Sequence, residues 1–207
     1  MTDPKVALAA LGWRVDTTAR YGQAVKDFQR GWNLGAALAV DGDPGPKTRA
    51  ALEVSLTRRA AGLPDFSAHF SAVEFQCNCG DGGRTIATDC ARIWTPRSTV
   101  QMAERYRSIV GPYTPVRACR CARENRRVGG ASRSQHLSGR GLDVPVYKVT
   151  PEQVRAAGIG ATGVGYYPYG SRRYVRHIDN RPGGWVIPWG YPGTPPTPLT
   201  PRPPAKG

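Results

Sequence analysis

The stretch SQHLSGRGLD, residues 134–143, contains a histidine and an aspartate that could bind a metal together. Imidazole and carboxylate groups are common zinc ligands, and a catalytic zinc needs about three protein ligands and one open position. The glycines between His136 and Asp143 allow the backbone to fold back, and His177 in the later segment YVRHID would complete the set. Spacing alone favours an interpretation without metal, in which His136 is a surface loop residue, Asp143 a turn residue and His177 a strand residue.

The wider pattern around this stretch resembles a known family. SQHLSGRGLD resembles the signature S-x-H-x-x-G-x-[AG]-x-D of the zinc D-alanyl-D-alanine peptidases of bacterial cell walls. CRCARENRRVGGASRSQH resembles the family's Y-R-C-x-x-x-N-x-x-V-G-G-x-x-x-S-x-H, HFSAVEFQCNCG its opening segment, and GVGYYP with YVRHID its closing one. The resemblance spans roughly residues 68–185. It implies the fold group of lysostaphin and the hedgehog domain, with Zn²⁺ as cofactor.

The resemblance also implies roles for individual residues. The two histidines and the aspartate match the family's zinc ligands. Arg120 matches the arginine that polarises the scissile carbonyl, and Ser134 and Asn125 match positions that bind substrate. Arg120 also fits a plain surface arginine, because Cys119 stands where the family has a tyrosine.

The catalytic base is the least defined part of the pattern. A carboxylate should accept a proton from water and pass it to the leaving amine. Residues i and i+2 of a strand face the same side, so Asp179 should lie near the metal with His177. Asp179 is therefore either the base or a carboxylate that orients a histidine ligand. Related enzymes often place the acid three residues before the last histidine, where this chain has Tyr174.

Five cysteines lie between residues 77 and 121, namely Cys77, Cys79, Cys90, Cys119 and Cys121. We favour one or two local disulfides with a spare thiol, because C-x-C is tighter than the usual C-x₂₋₄-C zinc spacing. A structural zinc site is the alternative. The family resemblance implies that Cys121 pairs with Cys77 or Cys79.

Residues 62–187 mix helix and strand signals, which predicts an α+β domain with a small antiparallel sheet flanked by helices. Capping boxes predict helices in SAVE and TPEQVRAAG, and apolar periodicity predicts one in TPRSTVQMAERYRSIVG. The predicted strands are TPVRAC, GLDVPVY, GVGYYP and YVRHID, and the last two are predicted to form a hairpin through the turn YGSRR. Residues 188–207 are Pro-rich and are expected to form a flexible, extended tail.

Residues 1–61 are predicted to form a small domain of three helices, joined to the rest by the linker AAGLPD. AVKDFQ and VDGDPGPKTRAAL resemble a peptidoglycan-binding module. An ordinary helical cap on the second domain is the alternative.

Charge and hydropathy limit the possible partners. A net charge of +14 favours a polyanionic partner. Zinc-finger spacing, an RNA-recognition signature and a basic helix are absent from the sequence, so we expect no nucleic acid. Apolar runs fall short of the ~18 residues that a membrane span needs, so we expect no membrane insertion. The N-terminus lacks a convincing signal peptide, so we expect release from a host cytoplasm by lysis machinery, as for a phage endolysin.

These patterns predict a monomeric zinc peptidase that hydrolyses peptide bonds of bacterial peptidoglycan. A D-alanyl stem or cross-link bond is favoured, because enzymes that cut between L-alanine and D-glutamate often carry D-x-P-H, which is absent here. The alternatives are an L-alanyl-D-glutamate endopeptidase of the same fold and a non-catalytic wall-binding protein.

Overall fold

The computed structural model describes residues 1–80, 90, 92–186, 188–193 and 195–202. The described chain has the predicted α+β class. Its α-helices are α1 Pro4–Ala10, α2 Thr18–Gly31, α3 Pro46–Ala60, α4 Arg97–Val110, α5 Ala122–Arg127 and α6 Pro151–Ala156. Its strands are β1 Gly141–Asp143, β2 Gly163–Tyr169, β3 Arg172–Asp179 and β4 Trp189–Gly190, and two 3₁₀ helices span Ala72–Phe75 and Gln135–Ser138.

Local signals set several helix ends as predicted. Thr150 caps α6 and accepts a hydrogen bond from the Gln153 N–H, while the Gln153 side chain accepts one from the Thr150 N–H. The same reciprocal arrangement starts the first 3₁₀ helix at Ser71. Helix α4 ends at Gly111, whose φ of 86° favours glycine because it has no Cβ.

The strands form one sheet in the order β1-β3-β2-β4. Strands β2 and β3 form the predicted hairpin, and β1 pairs antiparallel with β3. Strand β4 pairs parallel with β2. The sheet is therefore mixed, whereas the sequence predicted a purely antiparallel sheet. The Pro-rich segment causes this difference, because it returns to the sheet edge and adds a strand there.

Two of the predicted strands are shorter or absent. TPVRAC forms only an isolated bridge between Arg117 and Asp143. In GLDVPVY the strand stops at Asp143, before Pro145, which cannot donate a hydrogen bond to a neighbouring strand. The short helix α5 was not predicted.

The described part of the Pro-rich segment is attached to the domain. The Leu199 N–H donates to the Val146 carbonyl, and the Lys148 N–H donates to the Leu199 carbonyl, both at 2.8 Å. The Arg202 N–H donates to the Val110 carbonyl at 2.9 Å. These backbone hydrogen bonds attach this part of the predicted tail to the domain surface.

The N-terminal helices share a hydrophobic core with the rest of the chain. Trp13 and Phe28 lie 5.7 Å apart between ring centroids, and each packs against Phe66, which follows α3. Phe66 in turn contacts Phe75, and the Trp13 indole donates to the Ile93 carbonyl at 3.3 Å. Helices α1 to α3 are thus packed directly on the second region. Across the described residues, no helix is both long and apolar enough to cross a bilayer.

Candidate metal centre

Strand pairing brings the predicted metal ligands together. Asp143, the last residue of β1, lies directly opposite His177 of β3 in the antiparallel register. His136 belongs to the 3₁₀ helix that immediately precedes β1. This helix ends at Gly139 in the left-handed conformation, with φ 71°, and the chain then turns back into the strand. The SGRG spacer therefore places His136 against the end of the sheet.

Each histidine has one ring nitrogen held by the protein and one directed at Asp143. His136 Nδ1 lies 2.6 Å from the Ala118 carbonyl, to which it must donate, and its Nε2 lies 3.3 Å from Asp143 Oδ1. His177 Nδ1 lies 2.9 Å from the same oxygen, and its Nε2 lies 3.2 Å from Asp179 Oδ2. His136 Nε2 and His177 Nδ1 are therefore the nitrogens available to a metal.

The three groups fit a zinc ion. One donor atom from each of His136, Asp143 and His177 lies within 4.8 Å of the others, and all three side chains are buried. Two imidazole nitrogens and one carboxylate oxygen are a typical catalytic zinc set, with a fourth position left for water or substrate. The Ala118 carbonyl and the Asp179 carboxylate supply the outer partners that usually orient zinc-binding histidines.

The ionisation states of these groups follow from burial and from their mutual contacts. Burial raises the pKa of Asp143, but hydrogen bonds from His136 and His177 outweigh it and hold this pKa well below its usual range. Burial lowers the pKa of His136. Burial also acts to lower the pKa of His177, but the bonds to Asp143 and Asp179 raise it overall. A metal binds the neutral imidazole, so it competes with the proton that these bonds favour on His177.

Asp179 is engaged on both of its oxygens. Arg181 Nε donates to Oδ1 at 2.7 Å and Arg181 Nη2 donates to Oδ2 at 2.5 Å, while His177 Nε2 also faces Oδ2. Burial raises the pKa of Asp179, but the Arg181 and His177 contacts lower it below its usual range. The carboxylate is completely buried. Of its two predicted roles, this position favours orienting His177.

Comparison with known families gives the assignment. A family model described as Peptidase M15 matches residues 68–179, more than half of the chain. The chain belongs to the Peptidase M15 family. Members of this family are zinc metallopeptidases, so the predicted zinc cofactor and the predicted family are confirmed. No curated protein matches the sequence.

The M15 site opens into a cavity of about 700 Å³. Arg120, Arg133, Ser134, Arg181, Trp189 and Tyr191 line it, together with the three metal-binding groups. Among the described residues that line this cavity, Asp143 is the one carboxylate. The lining is therefore cationic and aromatic, apart from the metal-binding carboxylate itself.

Arg120, which the family resemblance predicts to polarise the scissile carbonyl, lies next to the metal-binding groups. Its Nη2 donates to Asp143 Oδ2 at 3.3 Å, and its backbone N–H donates to the His136 carbonyl at 3.1 Å. The guanidinium is thus held beside the metal-binding groups and faces the cavity. This placement excludes the interpretation of Arg120 as a plain surface residue.

The two other predicted substrate residues differ in position. Ser134 lines the cavity and starts the 3₁₀ helix that carries His136. Asn125 is buried in α5, and its Nδ2 donates to the carbonyls of Gly130 and Ala131 at 3.0 Å. Asn125 therefore supports the loop that forms one cavity wall, and the substrate contact predicted for it does not match this position.

The cavity residues that the sequence did not predict include Arg181, Trp189 and Tyr191. All three follow the last family motif, and Trp189 and Tyr191 lie in the region expected to be an extended tail. Arg181 stacks over the Trp189 ring at 5.0 Å, and Trp189 lies 5.5 Å from the His177 ring. Burial raises the pKa of Tyr191 to about 12, so its hydroxyl keeps its proton at neutral pH. The sequence signal that could have identified these three residues is the presence of an arginine and two aromatic residues soon after HID.

Two glycines are required by the close packing of the M15 site. A Cβ on Gly141 would lie 3.0 Å from both the His136 backbone nitrogen and the His177 ring. A Cβ on Gly163 would lie 2.6 Å from both oxygens of Asp179. Side chains at these positions would displace the groups that hold the metal, which explains glycine in GLD and GVG.

Proposed function

We propose that this M15 peptidase hydrolyses a D-alanyl peptide bond in the stems or cross-links of bacterial peptidoglycan. The observation that carries the proposal is the buried His136, Asp143 and His177 cluster at the floor of an open cationic cavity. Peptidoglycan stem peptides carry carboxylates, which suit a cavity lined by arginines. The missing D-x-P-H pattern supports the D-alanyl bond over the bond between L-alanine and D-glutamate.

The residues around the metal site have different roles in the proposed reaction. When bound, zinc polarises the substrate carbonyl and lowers the pKa of its water to about 7. Arg120 can donate to the carbonyl oxygen as negative charge develops there, because its guanidinium already lies beside Asp143. Tyr191 keeps its proton and can donate a hydrogen bond to the substrate from the cavity lining. Asp179 holds the His177 ring in place.

The decisive experiment is mass spectrometry of purified peptidoglycan fragments after incubation with the enzyme. We expect fragments whose masses correspond to cleavage at a D-alanyl bond, and no cleavage after zinc is removed by a chelator. Fragments cut between L-alanine and D-glutamate would replace the proposed bond with the alternative. Intact fragments with a zinc-loaded enzyme would favour a non-catalytic wall-binding protein.

We further propose that helices α1 to α3 bind the cell wall. Residues of the predicted wall-binding motif stabilise the structure of this region. Gln29 in α2 donates hydrogen bonds to Asp41 Oδ1, the Asp43 carbonyl and Thr48 Oγ1. These bonds fix the turn before α3 and engage the Asp41 carboxylate. A nearby groove is lined by Trp13, Arg14, Arg20 and Gln23, among others, and its arginines suit an anionic polymer.

Co-sedimentation with insoluble wall material tests this binding. In an inactive His177→Ala background, Arg14→Glu/Arg20→Glu should weaken binding about tenfold, a loss of about 1.4 kcal/mol. Lys5→Glu/Lys47→Glu is the matched control, since it makes the same charge change at two exposed lysines outside the groove. Equal weakening by both pairs would mean that net charge alone drives adsorption and would overturn the wall-binding site.

A lytic role completes the proposal. A peptidase site fixed to wall-binding helices would keep the enzyme at an insoluble substrate, as in a phage endolysin, and raise its local concentration there. The net charge of +14 supports action at an anionic wall. We propose that the enzyme acts there as a monomer, after release from a host cytoplasm by lysis machinery.

A further inference from the structure

A second cluster of potential metal ligands lies apart from the peptidase site. The sulfur atoms of Cys77, Cys79, Cys90 and Cys121 all lie within 4.8 Å of one another. Cys77 and Cys79 follow the first 3₁₀ helix, and Cys121 is the N-cap of α5. All four cysteines are free thiols in the structure. Three separate segments of the chain thus converge on one point through sulfur.

The fifth cysteine shows that this convergence is selective. Cys119 packs against the cluster, but its buried sulfur is not among the four that lie within 4.8 Å of one another, and it accepts a hydrogen bond from the Trp94 N–H at 3.2 Å. Thr95 Oγ1 lies 3.1 Å from the same sulfur. Cys119 therefore behaves as a buried thiol with its own polar partners.

Donors around the cluster favour thiolates. The Cys121 N–H donates to Cys77 Sγ at 3.2 Å, and Arg123 Nη2 donates to Cys79 Sγ at 3.4 Å. A zinc ion with four thiolates carries a net charge of about −2, which such donors stabilise. A disulfide sulfur carries no charge, so a hydrogen bond from an arginine would stabilise it only slightly.

The spacing of the four sulfurs matches a shared metal better than two separate bonds. Zn–S bonds of about 2.3 Å in a tetrahedron place sulfurs roughly 3.8 Å apart, which is compatible with four sulfurs that all lie within 4.8 Å of one another. Two disulfides would instead bring sulfurs together in pairs at about 2.05 Å, with no reason for all four to converge. The tight C-x-C spacing is accommodated because the other two ligands come from distant segments.

We propose that Cys77, Cys79, Cys90 and Cys121 bind a structural zinc ion, distinct from the ion in the peptidase site. Four protein ligands leave no open position, which is the property of a structural rather than a catalytic zinc. The ion would join the segment after the first 3₁₀ helix to the start of α5. Arg120 directly precedes the ligand Cys121, so the ion would also fix the chain that presents this arginine to the cavity.

Metal content and thiol counting on the intact protein test the proposal. Purified wild-type protein should contain about two zinc ions per chain, and His136→Ala/His177→Ala should retain about one. After chelation in denaturant without reductant, all five cysteines should react as free thiols. One or three reactive thiols would demonstrate disulfides and overturn the proposal without requiring any cysteine variant to fold.

Cobalt substitution locates the second ion. In the His136→Ala/His177→Ala background, Co²⁺ should give the intense thiolate-to-metal charge-transfer absorption of a tetrathiolate site. Cys77→Ser in that background should lose most of this absorption, whereas Cys119→Ala should retain it as the matched control. Absence of the absorption in the double-histidine variant, or its loss with Cys119→Ala alone, would overturn the assignment of these four ligands. Both readouts are independent of peptidase activity and of the proposed cleavage site.

Discussion

His177→Ala is expected to reduce peptidoglycan cleavage by at least about a thousandfold and to remove the peptidase-site zinc. The variant lacks the Nδ1 donor that faces Asp143. Lewis-acid stabilisation contributes several kcal/mol to such reactions, and each 1.36 kcal/mol corresponds to about a factor of ten in rate. Cleavage is measured as release of new amino groups, and zinc by elemental analysis against the two-ion stoichiometry expected for the wild type.

His69→Ala is the matched control for this prediction. His69 is exposed and pairs with Glu104 across 2.7 Å, and neither residue lines the cavity. Exposed pairs of this type contribute about 0–1 kcal/mol, so the control should keep its zinc, its fold and its activity. A His177→Ala enzyme that still cleaves at wild-type rate while folded would contradict the assigned zinc site.

Asp179→Asn separates the two roles predicted for this carboxylate. If Asp179 orients His177, as its contacts indicate, zinc affinity should fall by about 10–100-fold and excess zinc should restore most of the activity. The reason is that the amide still reaches His177 but lacks the charge that pairs with Arg181. Zinc affinity is measured by competition with a chromogenic chelator, and activity is measured over a range of zinc concentrations.

The opposite result would identify Asp179 as the base. In that case zinc affinity should stay unchanged and cleavage should remain abolished at every zinc concentration, because proton transfer itself is lost. Glu152→Gln is a suitable control, since Glu152 also pairs with an arginine, Arg173, but is exposed on α6. It should leave both zinc affinity and rate unchanged.

The sequence predicted the centre of the fold well where local chemistry determines it. Capping at Thr150, the glycine stop at Gly111 and the β2–β3 hairpin depend on residues close in sequence. The parallel addition of β4 depends on a long-range contact with Gly165 that leaves no periodic signal in the sequence. Composition alone made the Pro-rich segment look unattached, since composition does not show which backbone groups find partners.

The metal site was predictable for a similar reason. Family motifs identified His136, Asp143 and His177, and the register of β1 against β3 explains how they meet. Spacing alone could not decide between the roles of Asp179, because Arg181 becomes its partner only through the conformation after β3. The same limit applies to the cysteines, whose convergence requires segments that are far apart along the chain.

The aromatic contacts between α2 and the segment after α3 have a consequence for how this enzyme could be re-engineered. Phe28 and Phe66 are both completely buried, and Gly31 packs so closely on Phe66 that even a methyl group would collide with it. The first three helices therefore cannot be replaced by another binding domain as if they were joined to the peptidase region only by a flexible linker. Any substituted binding domain would need aromatic side chains that pack in the same way at this interface. That interface would then set the orientation of the binding domain relative to the cavity.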